Sequence, residues 1–192
     1  MVNLSGADAQ TAGRAAHLCK ADLATQMVVD MTSLQGVMGR EYGLRQGEAP
    51  AVAQAIFEHY LPRYAGDKLP TGRPGIVLGL ADRFDSLVGL FAVGLAPTGS
   101  ADPFALRRAA LGIVQVLIEK QVSLSLRDLI KAAAQFQPVP VSDEVLAQAL
   151  EFILGRLRVL LTDQGWRYDL VEAALAARGD NPYLARQAVE QL

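Results

Sequence analysis

One cysteine, two histidines and one tryptophan occur among the 192 residues. A lone thiol, Cys19, makes no internal disulfide, so the chain is no disulfide-stapled secreted domain. Cys19 lies in a helical pattern and reads as a buried, inert thiol. No cysteine pairs stand at zinc spacing and no glycine loop ends in Gly-Lys-Ser/Thr. A dinucleotide fingerprint and a nucleophile elbow are missing as well. These gaps exclude the commonest zinc, nucleotide-binding and serine-hydrolase chemistries. Charge of one sign is scarce too: 18 basic against 20 acidic residues leave a formal charge of −2. No global field draws such a chain to nucleic acid or acidic membranes, and any RNA contact has to come from a local patch. No apolar run approaches the roughly 20 residues of a membrane span, and no charged segment followed by an apolar one opens the sequence. A soluble protein of a reducing cytoplasm, without membrane contact, is expected.

Aromatic residues are few and β-branched runs short, whereas alanine and leucine abound, which favours helix over sheet. The fold class read from this is all-α. Its length buries a sizeable core as one domain, or one domain with a helical appendage. A first helix is expected from Asp8 to about Met31, with Ser33–Gly36 ending it, and a second starts near Val37. Another runs from Glu48 to about Tyr60, stopped by Pro62. Residues Gly75–Leu95 are apolar on nearly all sides and form a central helix. Its glycines Gly79, Gly89 and Gly94 are read as allowing close packing or a helix end. A helix from Pro103 to about Lys120 follows, then one capped by Ser125, one from Ser142 to about Leu161, and two shorter ones. The rigid stretch Gln137-Pro138-Val139-Pro140-Val141 suggests a boundary, with a helical domain over 1–137 and a helical extension over 138–192 packed on it.

The segment Pro97-Thr98-Gly99-Ser100-Ala101-Asp102-Pro103-Phe104-Ala105-Leu106-Arg107-Arg108 joins a tight loop to a helix start. Asp102 is a good N-cap, with Pro103 at the first helical position where a missing N–H costs nothing. Gly99-Ser100 is read as a turn feeding that cap rather than a phosphate loop. Arg107 and Arg108 then present charge on the first helical turns.

Together with Leu34-Gln35-Gly36-Val37-Met38-Gly39, Glu58-His59-Tyr60-Leu61-Pro62-Arg63-Tyr64-Ala65-Gly66-Asp67 and Leu80-Ala81-Asp82-Arg83-Phe84-Asp85, that segment closely resembles the beta subunit of bacterial heterotetrameric glycyl-tRNA synthetase. The likeness runs from about Lys20 to Arg178 and covers an internal part of a much longer family chain. An excised piece or a short relative is therefore expected.

His59-Tyr60, Gly66, Leu69-Pro70 and Leu80–Leu87 also look like the second half of an HD-type phosphohydrolase domain. Such enzymes hold divalent metal on histidines and aspartates from several helices of a bundle. Here the early His-Asp pair is Ala21-Asp22, and His17 is a poor angular substitute. Asp22, His59 and Asp82 remain as vestigial positions, and no metal is expected on them. Asp82 and Asp85 are expected instead to pair with arginines, Arg83 and Arg63 being the candidates, or to cap backbone donors. The fold expected is an HD-domain-like helical bundle that has lost its chemistry.

The resemblance implies a non-catalytic tRNA-binding or structural segment of the glycine–tRNA ligase beta subunit, helping to position tRNA(Gly) for aminoacylation. It implies tRNA(Gly), the alpha subunit and the remaining beta-subunit domains as partners. ATP and Mg²⁺ would be used by the alpha subunit, and this segment would carry no cofactor. Arg107, Arg108, Arg40, Arg63, Lys68 and Arg73 are the candidate RNA contacts, since A-form RNA offers phosphates and 2′-hydroxyls to cations projecting from a helical surface. The alternative is an active HD-type phosphohydrolase with Mg²⁺ or Mn²⁺ on Asp22, His59 and Asp82. A scaffold that only bridges subunits, with exposed apolar surface, is compatible with the first reading.

Overall fold

Serine and aspartate caps, a proline-started helix and one long apolar helix organise a chain that is all-α. The computed structural model describes residues 5–64 and 66–192, apart from the side chain of Ala7, so Ala65 of the quoted motif lies outside the described residues. Among these residues there is no strand, only an isolated bridge between Thr98 and Ala101. Among the described residues no helix is long and apolar enough to cross a membrane. Backbone contacts divide the described residues into two compact units, residues 5–82 and 83–192.

In the first unit, helix α1 (Gly6–Leu18) starts at Ser5, whose hydroxyl accepts from the Asp8 amide at 3.1 Å. The single helix expected from Asp8 to Met31 does not form. The chain breaks after Leu18 into a tight turn at Ala21–Ala24, a short helix α2 (Gln26–Asp30) and a second turn at Thr32–Leu34. The break follows from a long-range demand: Asp22 is buried and its Oδ2 accepts from the backbone of Gly36 at 2.6 Å and of Gly39 at 3.0 Å. Helices α3 (Val37–Arg45) and α4 (Pro50–Glu58) follow, with Pro50 in the first turn of α4. α4 packs on both α1 and α3. Ala15, Cys19, Val52, Ala55 and Ile56 form a core with Leu78 of α5 (Arg73–Ala92). Cys19 is buried as expected, and burial pushes its thiol up from its ordinary value.

α5 passes from the first unit into the second, where Phe84, Leu87, Val88 and Phe91 are buried. Gly94, at φ +76°, follows its end in the left-handed conformation that closes helices. The second unit adds α6 (Leu106–Glu119), α7 (Leu126–Ala134), α8 (Asp143–Asp163), α9 (Tyr168–Arg178) and α10 (Pro182–Gln191). Ser125 caps α7 through a bond from the Asp128 amide, as expected, and Ser142, where the next helix was expected to begin, caps α8 through a bond from the Val145 amide. α8 packs against α6, α7 and α9 around Ile113, Leu117, Ile130, Ile153, Leu157 and Leu161. Gln137–Val141 therefore connects two helices inside this unit. Gln137 is itself tied down, donating to the carboxylate of Asp85 at 2.9 Å. A Cβ on Gly89 would meet the Gln137 amide, which would have to shift to admit a side chain there.

Candidate functional site

Asp22, His59 and Asp82, the positions read above as vestigial, each serve another task. Asp22, on the turn after α1, holds the start of α3. His59 closes α4 with its ring fully buried, and its Nδ1 donates to the Ile56 carbonyl at 2.5 Å. Asp82, half-buried on α5, pairs with Lys20 at 2.9 Å, not with an arginine. The Lys20 ammonium also lies 5.0 Å from the centre of the Tyr60 ring. Burial, with Asp22 and Asp82 nearby, pushes the Tyr60 hydroxyl well above its usual value. Among the described residues no group of three or more His, Cys, Asp or Glu side chains is placed to hold a metal ion. Beside Asp22 lies a cavity of about 380 Å³, lined also by Leu18, Tyr42, Ile56 and Glu48. Among the described residues no basic side chain lines it.

Two carboxylates fix the segment between α4 and α5. Glu58 is 2 % exposed and accepts four hydrogen bonds: from Gln54, from the Thr71 amide and hydroxyl, and from the Gly72 amide. Burial alone would raise its carboxyl, but these bonds outweigh it and hold the group below the usual range. Asp67 takes a bidentate pair from Arg63, at 2.8 and 3.1 Å, plus the backbone amides of Arg63 and Lys68. The Arg63 guanidinium is the main reason its carboxyl falls to about 2. Both carboxylates stand at the ends of the 58–67 motif quoted above, but their anchoring role is not read from it, because their partners are met only when the loop folds back on them.

The loop before α6 is built by its own polar groups. Asp102 accepts from the amides of Leu106 at 2.8 Å and Arg107 at 3.0 Å, so it caps the helix as its sequence predicts. The register differs from expectation, however. Pro103 stays in the turn and the helix begins at Leu106, after Ala105 in the left-handed conformation at φ +56°. Arg107 bends back to donate to the carbonyls of Gly99 and Ala101 at 2.5 and 3.3 Å, locking the loop.

The six candidate cations thus divide by what they already hold. Arg63 is committed to Asp67 and Arg107 to its own loop. Arg40 pairs with Glu41 at 3.0 Å and stacks over Phe57. Lys68 is exposed on the loop between α4 and α5, and Arg73 is exposed at the first residue of α5. Arg108 is exposed on the first turn of α6, with no partner among the described residues. Asp85 and Arg83 likewise depart from the expected pairing: Asp85 holds Gln137, and buried Arg83 lies against Gly112, where a Cβ would come within 2.8 Å of its Nε.

Comparison with known proteins fits the same motifs. A family profile described as Glycyl-tRNA synthetase beta subunit matches residues 2–176. The glycine–tRNA ligase beta subunit of Desulforamulus reducens is 53 % identical over 173 residues, covering 88 % of this chain and 25 % of the relative. That of Desulforudis audaxviator is 54 % identical over 169 residues, covering 86 % and 25 %. That of Haemophilus influenzae is 47 % identical over 178 residues, covering 92 % and 26 %. The chain spans about a quarter of the length of these curated relatives. With its match to the family profile running through most of its residues, the chain belongs to the glycyl-tRNA synthetase beta-subunit family.

Proposed function

We propose that this chain is a non-catalytic segment of a glycine–tRNA ligase beta subunit that helps to position tRNA(Gly) for aminoacylation. The alpha subunit would supply the adenylation centre with its ATP and Mg²⁺, and the remaining beta-subunit domains would complete the enzyme. The observation that carries this reading is Arg108: an exposed guanidinium with no partner among the described residues, standing on a helix start braced by Asp102 and Arg107, in a chain of this family. Lys68 and Arg73 are the further phosphate contacts, Lys68 exposed on the loop anchored by Glu58 and Asp67 and Arg73 exposed at the start of α5. The phosphohydrolase alternative gains no support from Asp22, His59 and Asp82, each of which is engaged by the fold.

A salt titration of binding to tRNA(Gly), beside an unrelated tRNA, tests the reading on the full 192-residue chain. Arg108→Ala is expected to weaken binding and to lower the slope of log affinity against log salt by about one unit. Arg63→Ala is expected to leave that slope unchanged, because its guanidinium serves Asp67. Absence of salt-sensitive binding to either tRNA would overturn the proposal, and stoichiometric metal in the same preparation would point back to the hydrolase.

A further inference from the structure

Phe104 is 49 % exposed in the turn that carries Asp102, directly before the start of α6. Single exposed apolar side chains are ordinary on protein surfaces, so exposure alone says little. What distinguishes Phe104 is its mounting. Asp102 fixes the turn from inside by two bonds to the helix start, and Arg107 fixes it from outside by two bonds to loop carbonyls. The first amides of α6 are thereby already used, so the helix end itself is not the element left to bind. What remains for a partner is an aromatic ring on a braced loop and, four residues on, the unpaired guanidinium of Arg108. Four residues span at most about 14 Å, which is close enough to serve a base and an adjoining phosphate.

The geometry points to Phe104 as a stacking platform for an unpaired RNA base, with Arg108 on a neighbouring phosphate and Arg107 as a positioning residue that holds the loop. This rests on the tRNA-binding reading above and adds to it the class of nucleotide contacted. The chemistry is specific: the faces of paired bases are covered by their neighbours in a helix, whereas unpaired bases are commonly received on aromatic rings. A flat, rigidly held ring loses little conformational freedom on stacking. The adjacent cation supplies the charge complementarity that a polyanion requires.

The test uses the full chain, a tRNA(Gly) transcript and a blunt RNA duplex with no unpaired nucleotide. Phe104→Ala is expected to weaken tRNA binding about 5- to 100-fold with the salt slope unchanged, since a stacked base carries no net charge exchange. Phe104→Tyr should restore most of the affinity. Arg108→Ala should lower the slope by about one, and Arg107→Ala should weaken binding without lowering it, because its role is to hold the loop. In Phe104→Trp, saturable fluorescence quenching by tRNA beyond that of Trp166 alone would report the stacking directly. The duplex should bind all Phe104 variants alike. Wild-type affinity for tRNA in Phe104→Ala, with Arg108→Ala still impaired, would overturn the stacking role and leave the broader reading standing. Loss of alpha-subunit association in Phe104→Ala, with RNA binding intact, would instead make the ring a protein contact. A wild-type chain that binds neither RNA would remove both proposals together.

Discussion

Replacing Glu58 with alanine is expected to cost about 4 kcal/mol of folding stability, measured as a lower urea midpoint at unchanged slope. Its Oε1 accepts from Gln54, the Thr71 amide and the Thr71 hydroxyl, and its Oε2 accepts from the Gly72 amide. Alanine would leave those donors, two of them backbone amides, facing a hole where a carboxylate was. The site has been shaped around the carboxylate: a Cβ on Gly75 would come within 2.6 Å of both Glu58 Cβ and Oε2. Glu58→Gln keeps the size and one carbonyl. Placed at Oε1, that carbonyl retains three of the four donors, so a loss of only about 1–2 kcal/mol is expected. A Glu58→Ala protein within 1 kcal/mol of wild type would refute the anchoring role.

The same group makes the protein sensitive to acid. Glu58 and Asp67 both titrate below their ordinary values when folded, Asp67 at about 2. Unfolded carboxyls of these types titrate near 4. The unfolded chain therefore takes up protons first as pH falls. The stabilisation from both groups is complete above roughly pH 5 and is lost as pH drops through their folded values, toward about 2 for Asp67. Glu58→Gln, having no carboxyl there, should show a shallower loss of stability below pH 5 than wild type.

How much of this was legible in the sequence depends on whether the determining partner is near in the chain. Ser125 caps its helix through an amide three residues on, so local spacing was enough to find it. The long apolar run was read as a helix, and α5 is one, because a segment apolar on nearly all sides reports its own burial. Asp102 was half legible. Its capping role is local, but the turn that shifts the helix start to Leu106 depends on Ala105 adopting a left-handed conformation that no residue type there announces. Arg107 shows the same limit at the site. Spacing places it on the first helical turn, yet not that its guanidinium returns to Gly99 and Ala101. The unbroken helix expected through Ala21 failed for the strongest version of this reason. Local propensity favours its continuation, and what ends it is a bond to residues 14 and 17 positions later.

That bond makes Asp22→Ala the second large effect. α3 begins after Gly36, which has no side chain with which to cap and sits at φ +76°. Its own amide and that of Gly39, the third residue of the helix, are among the donors that no turn of helix can satisfy. In a capping box, neighbouring side chains would serve them; here one carboxylate oxygen arriving from Asp22 serves both. Alanine removes that cap within a buried site, and a loss of about 3 kcal/mol is expected, together with faster hydrogen exchange at the Gly39 amide. Asparagine can keep its carbonyl on both amides, so Asp22→Asn should lose about 1 kcal/mol and leave Gly39 protected. The pair of variants separates architecture from chemistry at this position. A cap needs an acceptor oxygen and tolerates asparagine, whereas a metal ligand needs the negative charge and does not. If Asp22→Ala were as stable as wild type, and divalent metal stabilised wild type but neither variant, Asp22 would be a ligand after all. The preserved aspartate would then mark a working centre. The short bonds to Gly36 and Gly39 favour the other outcome, in which the fold has kept this acid as the cap of a neighbouring helix.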